Sequence, residues 1–221
     1  MSVRHEHAKS PQKQAERGEQ TRGRLLEATI RSIAQDGVAG ASVERITERA
    51  GVSRGLIRHY YGSKSRLLAE AFQRLADDYR GMLGIGIDPE GFAASDAEVR
   101  LRDAILQAFE EIRDAHDRQY AWFGFWALAR TDDELHRINH ELYGDVVKHL
   151  GGLIGDVATK HGRQVDSVGA GRGLAAMIEG AWLHTTIGVE GMSLPEAERV
   201  CLEYAARLLS LESLDGPPER D

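Results

Sequence analysis

A single cysteine, Cys201, stands in a chain of 221 residues, so no disulfide can close within it. That excludes the stapled architecture of small secreted domains and suits a reducing compartment. Prolines number five, and aromatic residues make up 6% of the chain. No apolar run approaches the roughly 18–20 residues that span a bilayer, so no membrane partner is expected. The opening stretch MSVRHEHAKSPQKQAERGEQ is polar throughout. It lacks the apolar core of a secretion signal, and a cytoplasmic location is the expectation. Nowhere do β-branched residues alternate with polar ones for long, which argues against strands. Catalytic signatures are missing too: there is no glycine-rich dinucleotide loop after a strand, no Walker loop and no nucleophile elbow. His136 and His140 share a helix face without a clear third ligand, and Glu110–Glu111 reads as an exposed helix pair. Neither an enzyme nor a cofactor is implied.

What is present is a chain 42% hydrophobic, enough for a packed core, and one stretch that stands out. Residues 42–64, SVERITERAGVSRGLIRHYYGSK, read as two short helices around a tight turn, followed by a basic anchor. Val43, Ile46 and Ala50 recur at helical spacing before Gly51 interrupts, and Ser53 is placed to cap the second helix. There Leu56, Ile57, Tyr60 and Tyr61 supply apolar bulk, while Arg54, Arg58 and His59 are polar and mostly cationic. A short helix, a glycine-containing turn and a second helix with basic residues near its start fit a helix-turn-helix that enters the DNA major groove.

AGVSRGLIRHYYGSKSRLL resembles the motif of the TetR family of bacterial one-component repressors, and HYYGSK is similar to its choline-responsive, BetI-like branch. Arg58 departs from that motif, standing where many members have Tyr or a small polar residue, so the operator sequence does not follow by analogy. The expected fold is all-α. An N-terminal three-helix helix-turn-helix DNA-binding domain precedes a C-terminal helical bundle for ligand binding and dimerisation.

Charge is distributed to match. The formal net charge is −7, which alone argues against nucleic acid, yet residues 1–84 carry +5 and residues 85–221 carry −12. A basic first third beside an acidic remainder is the asymmetry expected when one end meets phosphates.

Residues 1–18 read as a disordered basic arm whose Lys9, Lys13 and Arg17 either touch DNA or are merely solvated. Residues 19–64 read as the DNA-binding domain, opening with a helix over 19–36 that Gly37 ends. A connecting helix follows over 65–83, with Leu67, Leu68, Ala71, Phe72, Leu75 and Tyr79 at helical spacing. The Gly- and Pro-rich residues 84–95 read as a linker, 96–211 as the C-terminal domain and 212–221 as a flexible tail. Ser95 with Glu98, Thr131 with Glu134 and Ser193 with Glu196 fit capping boxes and predict helix starts near 96, 132 and 194.

On the second helix of the motif, Arg54 and Arg58 lie four residues apart on one face and suit guanine edges. Gly55 allows close approach, Leu56 can meet a thymine methyl, and His59, Tyr60 and Lys64 suit phosphates. Ser42 reads equally as a cap or a phosphate contact, and Thr47 as a phosphate contact or solvated surface. Ile57 and Tyr61 belong to the core of the motif.

Further along, Trp122, Phe123, Phe125 and Trp126 put four aromatics into five residues. Trp122, Phe125 and Trp126 share a face, which serves either core packing or a ligand cavity attractive to organic cations. AWFGFWALA and AAMIEGAWLH resemble the effector domain of the BetI-like branch, which implies a small-molecule effector, choline being the candidate. Tyr143 and Trp182 would complete the walls, and Glu179 reads as a counter-charge or an interface residue. Small residues over 169–188, with the final helix, read as the surface for a second copy. Ala175, Ala176, Leu183, Ala205, Leu208 and Leu209 are its expected contacts, giving a homodimer. Two function classes stand: a ligand-controlled regulator of double-stranded operator DNA, and an all-helical binding protein or enzyme that has lost DNA regulation.

Overall fold

A computed structural model describes residues 11–86, 96–114, 118–188 and 192–214. Among them every regular element is a helix: α1 (Pro11–Gly40), α2 (Val43–Ala50), α3 (Gly55–Tyr61), α4 (Lys64–Met82), α5 (Ala97–Gln107), α6 (Glu110–Asp114), α7 (Arg118–Ala129), α8 (Asp133–Lys160), α9 (Ser167–Thr186) and α10 (Leu194–Leu208). None is long and apolar enough to cross a membrane.

Local chemistry explains the first four. Gly37 adopts φ 68° and interrupts α1 near its end, a conformation only glycine takes without strain. The Ser42 hydroxyl accepts from the Arg45 N–H at 3.2 Å and caps α2. Gly51, at φ 64°, ends α2 in the left-handed region, its N–H donating to Glu48 C=O at 3.0 Å. Gly62 ends α3 at a positive φ of 76° but a different ψ, its N–H donating to Arg58 C=O, and the Ser63 hydroxyl caps α4 by accepting from Arg66 N–H at 3.1 Å.

Three expectations about local structure are corrected. Residues 11–18 are not an arm: they form the first turns of α1, and residues 1–10 lie outside the described residues. The stretch has no apolar stripe, but Gln, Ala, Glu, Lys and Arg are all good helix formers, so propensity succeeded where periodicity gave no signal. Two caps lie one residue later than expected, on carboxylates that accept from the free N–H groups of the first turn. Asp132, not Thr131, accepts from Glu134 and Leu135 N–H at 3.1 Å each, and Asp96 caps α5. Ser95 lies outside the described residues. The Ser193–Glu196 pair does form as expected, Ser193 N–H donating to Glu196 at 2.8 Å. Finally, Leu214 is 3% exposed and packs on the C-terminal core, so the expected tail is anchored at least that far.

Two apolar cores result. Leu25, Ala28, Ile46, Ala50, Ile57, Tyr61 and Leu67 form the small one under α2 and α3. The large one fills the C-terminal body, and Ile30, Ile33, Phe72 and Leu75 reach into it. Thus α1 and α4 each run from one core into the other. The two parts are joined by shared rigid helices rather than only by the linker sequence, of which residues 84–86 form a turn and 87–95 lie outside the described residues. Tyr61 and Arg22 lock the small part: the Tyr61 hydroxyl donates to Arg22 C=O at 2.9 Å, and Arg22 pairs with Glu70 at 3.1 Å.

Between α1 and α7 the approach is close. A Cβ on Gly124 would fall 2.2 Å from Ile33 Cγ2, so only glycine fits. The same holds where α8 crosses α9, since a Cβ on Gly171 would sit 2.5 Å from Val147 O and 2.7 Å from Gly151 N. Part of the small-residue character of 169–188, expected at a subunit seam, is therefore used inside the chain.

Candidate functional site

The helix-turn-helix presents one exposed edge. Arg54, Gly55, Arg58 and His59 are exposed on and just before α3, while Ile57 and Tyr61 point inward at 4% and 6% exposure. Gly55 has nothing within 4 Å of a would-be Cβ, so no internal packing demands glycine there, which leaves room for an outside surface to approach. Arg54 is not idle: its guanidinium lies 3.1 Å from the Glu44 carboxylate on α2. Glu44 is held below the usual carboxylate range, first by its own backbone N–H and then by Arg54. Tyr60 is half-buried and meets His59 edge-on at 4.8 Å, and Lys64 is half-buried at the first turn of α4.

Several residues expected at DNA sit differently. Thr47 is 3% exposed and donates its hydroxyl to Val43 C=O and Glu44 C=O at 2.9 and 3.1 Å, so its polar group is satisfied within α2. Ser42 is the α2 cap. Leu56 is half-buried against the small core. Ser53 is exposed, but α3 starts with Leu56 N–H on Ser53 C=O at 3.1 Å and no side-chain cap.

In the body, α4, α7, α8 and α9 line a cavity of about 480 Å³ that opens to solvent. Trp122 and Trp126 from α7, Tyr143 and Asn139 from α8, and Glu179 and Trp182 from α9 line it, with Tyr79 from α4 and Leu83 just past its end. The indoles form a connected wall, with Trp122–Trp126 centroids 6.1 Å apart and Trp126–Trp182 5.9 Å apart. Phe123 supports that wall from behind, 5.3 Å from Trp182. Among the described residues Glu179 is the one charged side chain in the lining. It stands at the rim, partly open to solvent, and desolvation pushes its carboxyl up.

Five of the six expected cavity residues are brought together; Phe125 is not. It is fully buried and stacks on Phe72 at 4.7 Å, because the helix face it shares with Trp122 continues onto α4 rather than into the void. Tyr79 and Asn139 were missed. Tyr79 read as part of an ordinary apolar stripe, and an isolated Asn139 in the buried face of α8 was the one available hint.

The expected partner-facing residues divide. Ala175, Ala205 and Leu209 are 2%, 0% and 1% exposed, so their surfaces are already covered within one chain and cannot meet another. The reason is that α10 packs on α9 and both face the body core. Ala176 is exposed, Leu183 and Leu208 are half-buried, and Ala175, Ala176 and Leu183 also line the cavity.

Comparison with known proteins gives one answer along nearly the whole chain. The profile of bacterial regulatory proteins of the tetR family matches residues 25–71, and that of the BetI-type transcriptional repressor C-terminal domain matches residues 97–210. The HTH-type transcriptional regulator BetI of Proteus mirabilis is 32% identical, over 85% of this chain and 90% of its own. Among solved structures, a transcriptional regulator from Pseudomonas aeruginosa PAO1 superposes with TM-score 0.74 at 27% identity, covering 87% of this chain and 91% of that one. One from Saccharomonospora viridis, in complex with choline, has the same fold at TM-score 0.74 and 21% identity, covering 84% and 95%.

Proposed function

Because the chain belongs to the TetR family of regulators and carries a BetI-type C-terminal domain, we propose a dimeric repressor that a small organic cation releases from its operator. Membership makes it a DNA-binding transcriptional regulator, not an enzyme. Arg54 and Arg58 are the proposed base readers, with His59, Tyr60 and Lys64 on phosphates. Two reading heads about 34–36 Å apart would span successive major-groove faces of a near-palindrome.

One observation carries the effector reading: the cavity joins a three-indole wall to a single carboxylate, and α4 forms part of its lining. Aromatic faces and a carboxylate both favour a cation, and a poorly hydrated one suits the apolar walls. Choline, held by the Saccharomonospora viridis regulator, is the first ligand of that class to test. The lever is α4, which begins at Lys64 beside the reading helix and ends in the cavity wall. A ligand releases DNA only by favouring a conformation whose two heads no longer match the groove.

Fluorescence anisotropy with DNA from the upstream region of its own gene tests both halves. Binding that weakens steeply with salt, and a further loss of about 5–150-fold on adding choline, supports the reading. Tight binding indifferent to choline, betaine-like and other quaternary cations would remove the effector class and leave the regulator.

A further inference from the structure

The two ends of the cavity differ in chemistry. Its long direction follows α8, whose lining residues run from Asn139 to Leu150. At 1.5 Å per residue that run is about 16 Å long. Packing fixes which residues share a level along it. Gly171 lies against Val147 and Gly151, and Gly151 against Ser167, so α8 and α9 are antiparallel and Trp182 falls beside Asn139. Trp126 meets Trp182 at 5.9 Å, and Glu179 stands one turn before Trp182, so the indoles and the carboxylate share this end. At the other end α5 also runs antiparallel to α8, tied by Lys160–Asp96 at 2.6 Å and Arg100–Asp156 at 3.0 Å. That direction brings Ala108 to the level of Val146 and Leu150. His149 sits against the Leu83 backbone, so the end of α4 arrives there as well. Leu83, Ala108, Val146, Leu150 and Ala175 therefore line an end without a polar side chain.

Choline does not fill such a site. Its seven non-hydrogen atoms, even at the roughly 30 Å³ that one water claims, take about 210 Å³. The cavity offers about 480 Å³. Choline held among the indoles would leave water at the aliphatic end, where it finds no polar side chain to bond. A cationic head takes about one helical turn of the length, 5.4 Å, and leaves roughly 10 Å, the span of about eight zigzagged carbons with bonds of about 1.5 Å. We propose that the effector is a quaternary ammonium with an unbranched apolar tail of about six to ten carbons, its head among the indoles and Glu179 and its tail between Leu83, Ala108 and Leu150. This deepens the organic-cation reading above and rests on it.

Calorimetry on the wild-type chain with tetramethylammonium and with butyl-, hexyl-, octyl- and dodecyltrimethylammonium, each below its micelle concentration, reads the tail directly. Affinity rises about two- to fourfold per methylene up to the octyl ion, then levels off by the dodecyl ion, whose end no longer fits. Flat or falling affinity from tetramethylammonium to the octyl ion overturns the tail and leaves the cation reading standing. No binding by any of these cations defeats the cation reading and the tail with it. Octanoate binds at least about tenfold more weakly than the octyl ion, since a carboxylate would meet Glu179. Equal affinity for the two overturns the head assignment. Two variants locate the tail. Val146→Phe fills the aliphatic end and lowers the ratio of octyl to tetramethylammonium affinity at least about tenfold. Leu83→Ala lengthens that end, so affinity keeps rising beyond the octyl ion. An unchanged chain-length profile in both variants overturns this placement.

Discussion

Trp122 on α7 meets Tyr79 on α4 edge-on, with ring centroids 5.7 Å apart and planes at 72°. Both rings line the cavity, and α4 begins at Lys64 in the DNA-reading part. Two ion pairs fasten the same stretch of α4 to the body, Arg80–Asp145 at 2.8 Å and Asp78–Arg118 at 2.6 Å. On the proposed function, a ligand that displaces Trp122 would push on α4, the helix that follows the reading helix.

Tyr79→Ala is expected to cut this connection. The free protein keeps operator affinity within about threefold, since Tyr79 is remote from the reading edge. The ligand-induced loss shrinks toward none, because a coupling of about 1–3 kcal/mol has lost its contact. Anisotropy titrations with and without ligand check it; unchanged coupling would exclude this route.

At the reading edge, Arg54→Ala and Arg58→Ala should each cost about 1–3 kcal/mol at the specific site and relax base preference. Lys64→Ala should weaken all sequences alike and flatten the salt slope by about one unit. Glu44→Gln is expected to raise affinity, because Glu44, 3.1 Å from Arg54, would compete with DNA for that proposed base reader. Thr47→Ala should leave operator binding alone and lower stability instead. Measurements at several salt concentrations separate these outcomes.

The junction of α1 and α7 has no spare room. Gly124→Ala should cost about 1–3 kcal/mol, read from urea midpoints, since Ile33 is 2% exposed and β-branched and cannot swing aside. Adding Ile33→Ala should give a double variant less damaged than the sum of the two singles. Strict additivity would place the strain elsewhere.

Burial pushes the Cys201 thiol up to about 12 from 9.0. The folded chain thus holds this proton more tightly than the unfolded chain does, so its contribution is full below about pH 9 and drains as pH rises toward 12. Each unit within that window costs at most about 1.4 kcal/mol from this group. Cys201→Ala should flatten the alkaline limb of the stability profile. In the native protein Cys201 should resist a thiol reagent until urea exposes it.

The helix-turn-helix was legible because its signals are local. Gly51 and Ser42 act within a turn of their own helix, so their chemistry is complete before anything packs. The aromatic cluster was legible as a cluster, but not in its division of labour. Phe125 and Trp126 are neighbours in sequence, and only the positions of α4 and α9 decide that one stacks on Phe72 while the other faces the cavity.

The all-helical class, the helix-turn-helix and the presence of an aromatic-rich body thus followed from sequence, because turn chemistry and periodicity act over a few residues, while several helix ends were displaced. Tertiary structure alone decided which side of each helix was consumed within the chain. Ala205 and Leu209 looked free because α10 is apolar on the face that α9 and the body cover. Thr47 could pass for a surface hydroxyl, but packing of α2 turns it inward, where it is 3% exposed and bonded to Val43 C=O and Glu44 C=O. Burial depends on what a second helix covers, and residues far apart in sequence, such as Tyr79 and Trp122, meet only when the packing of α4 against α7 brings them together.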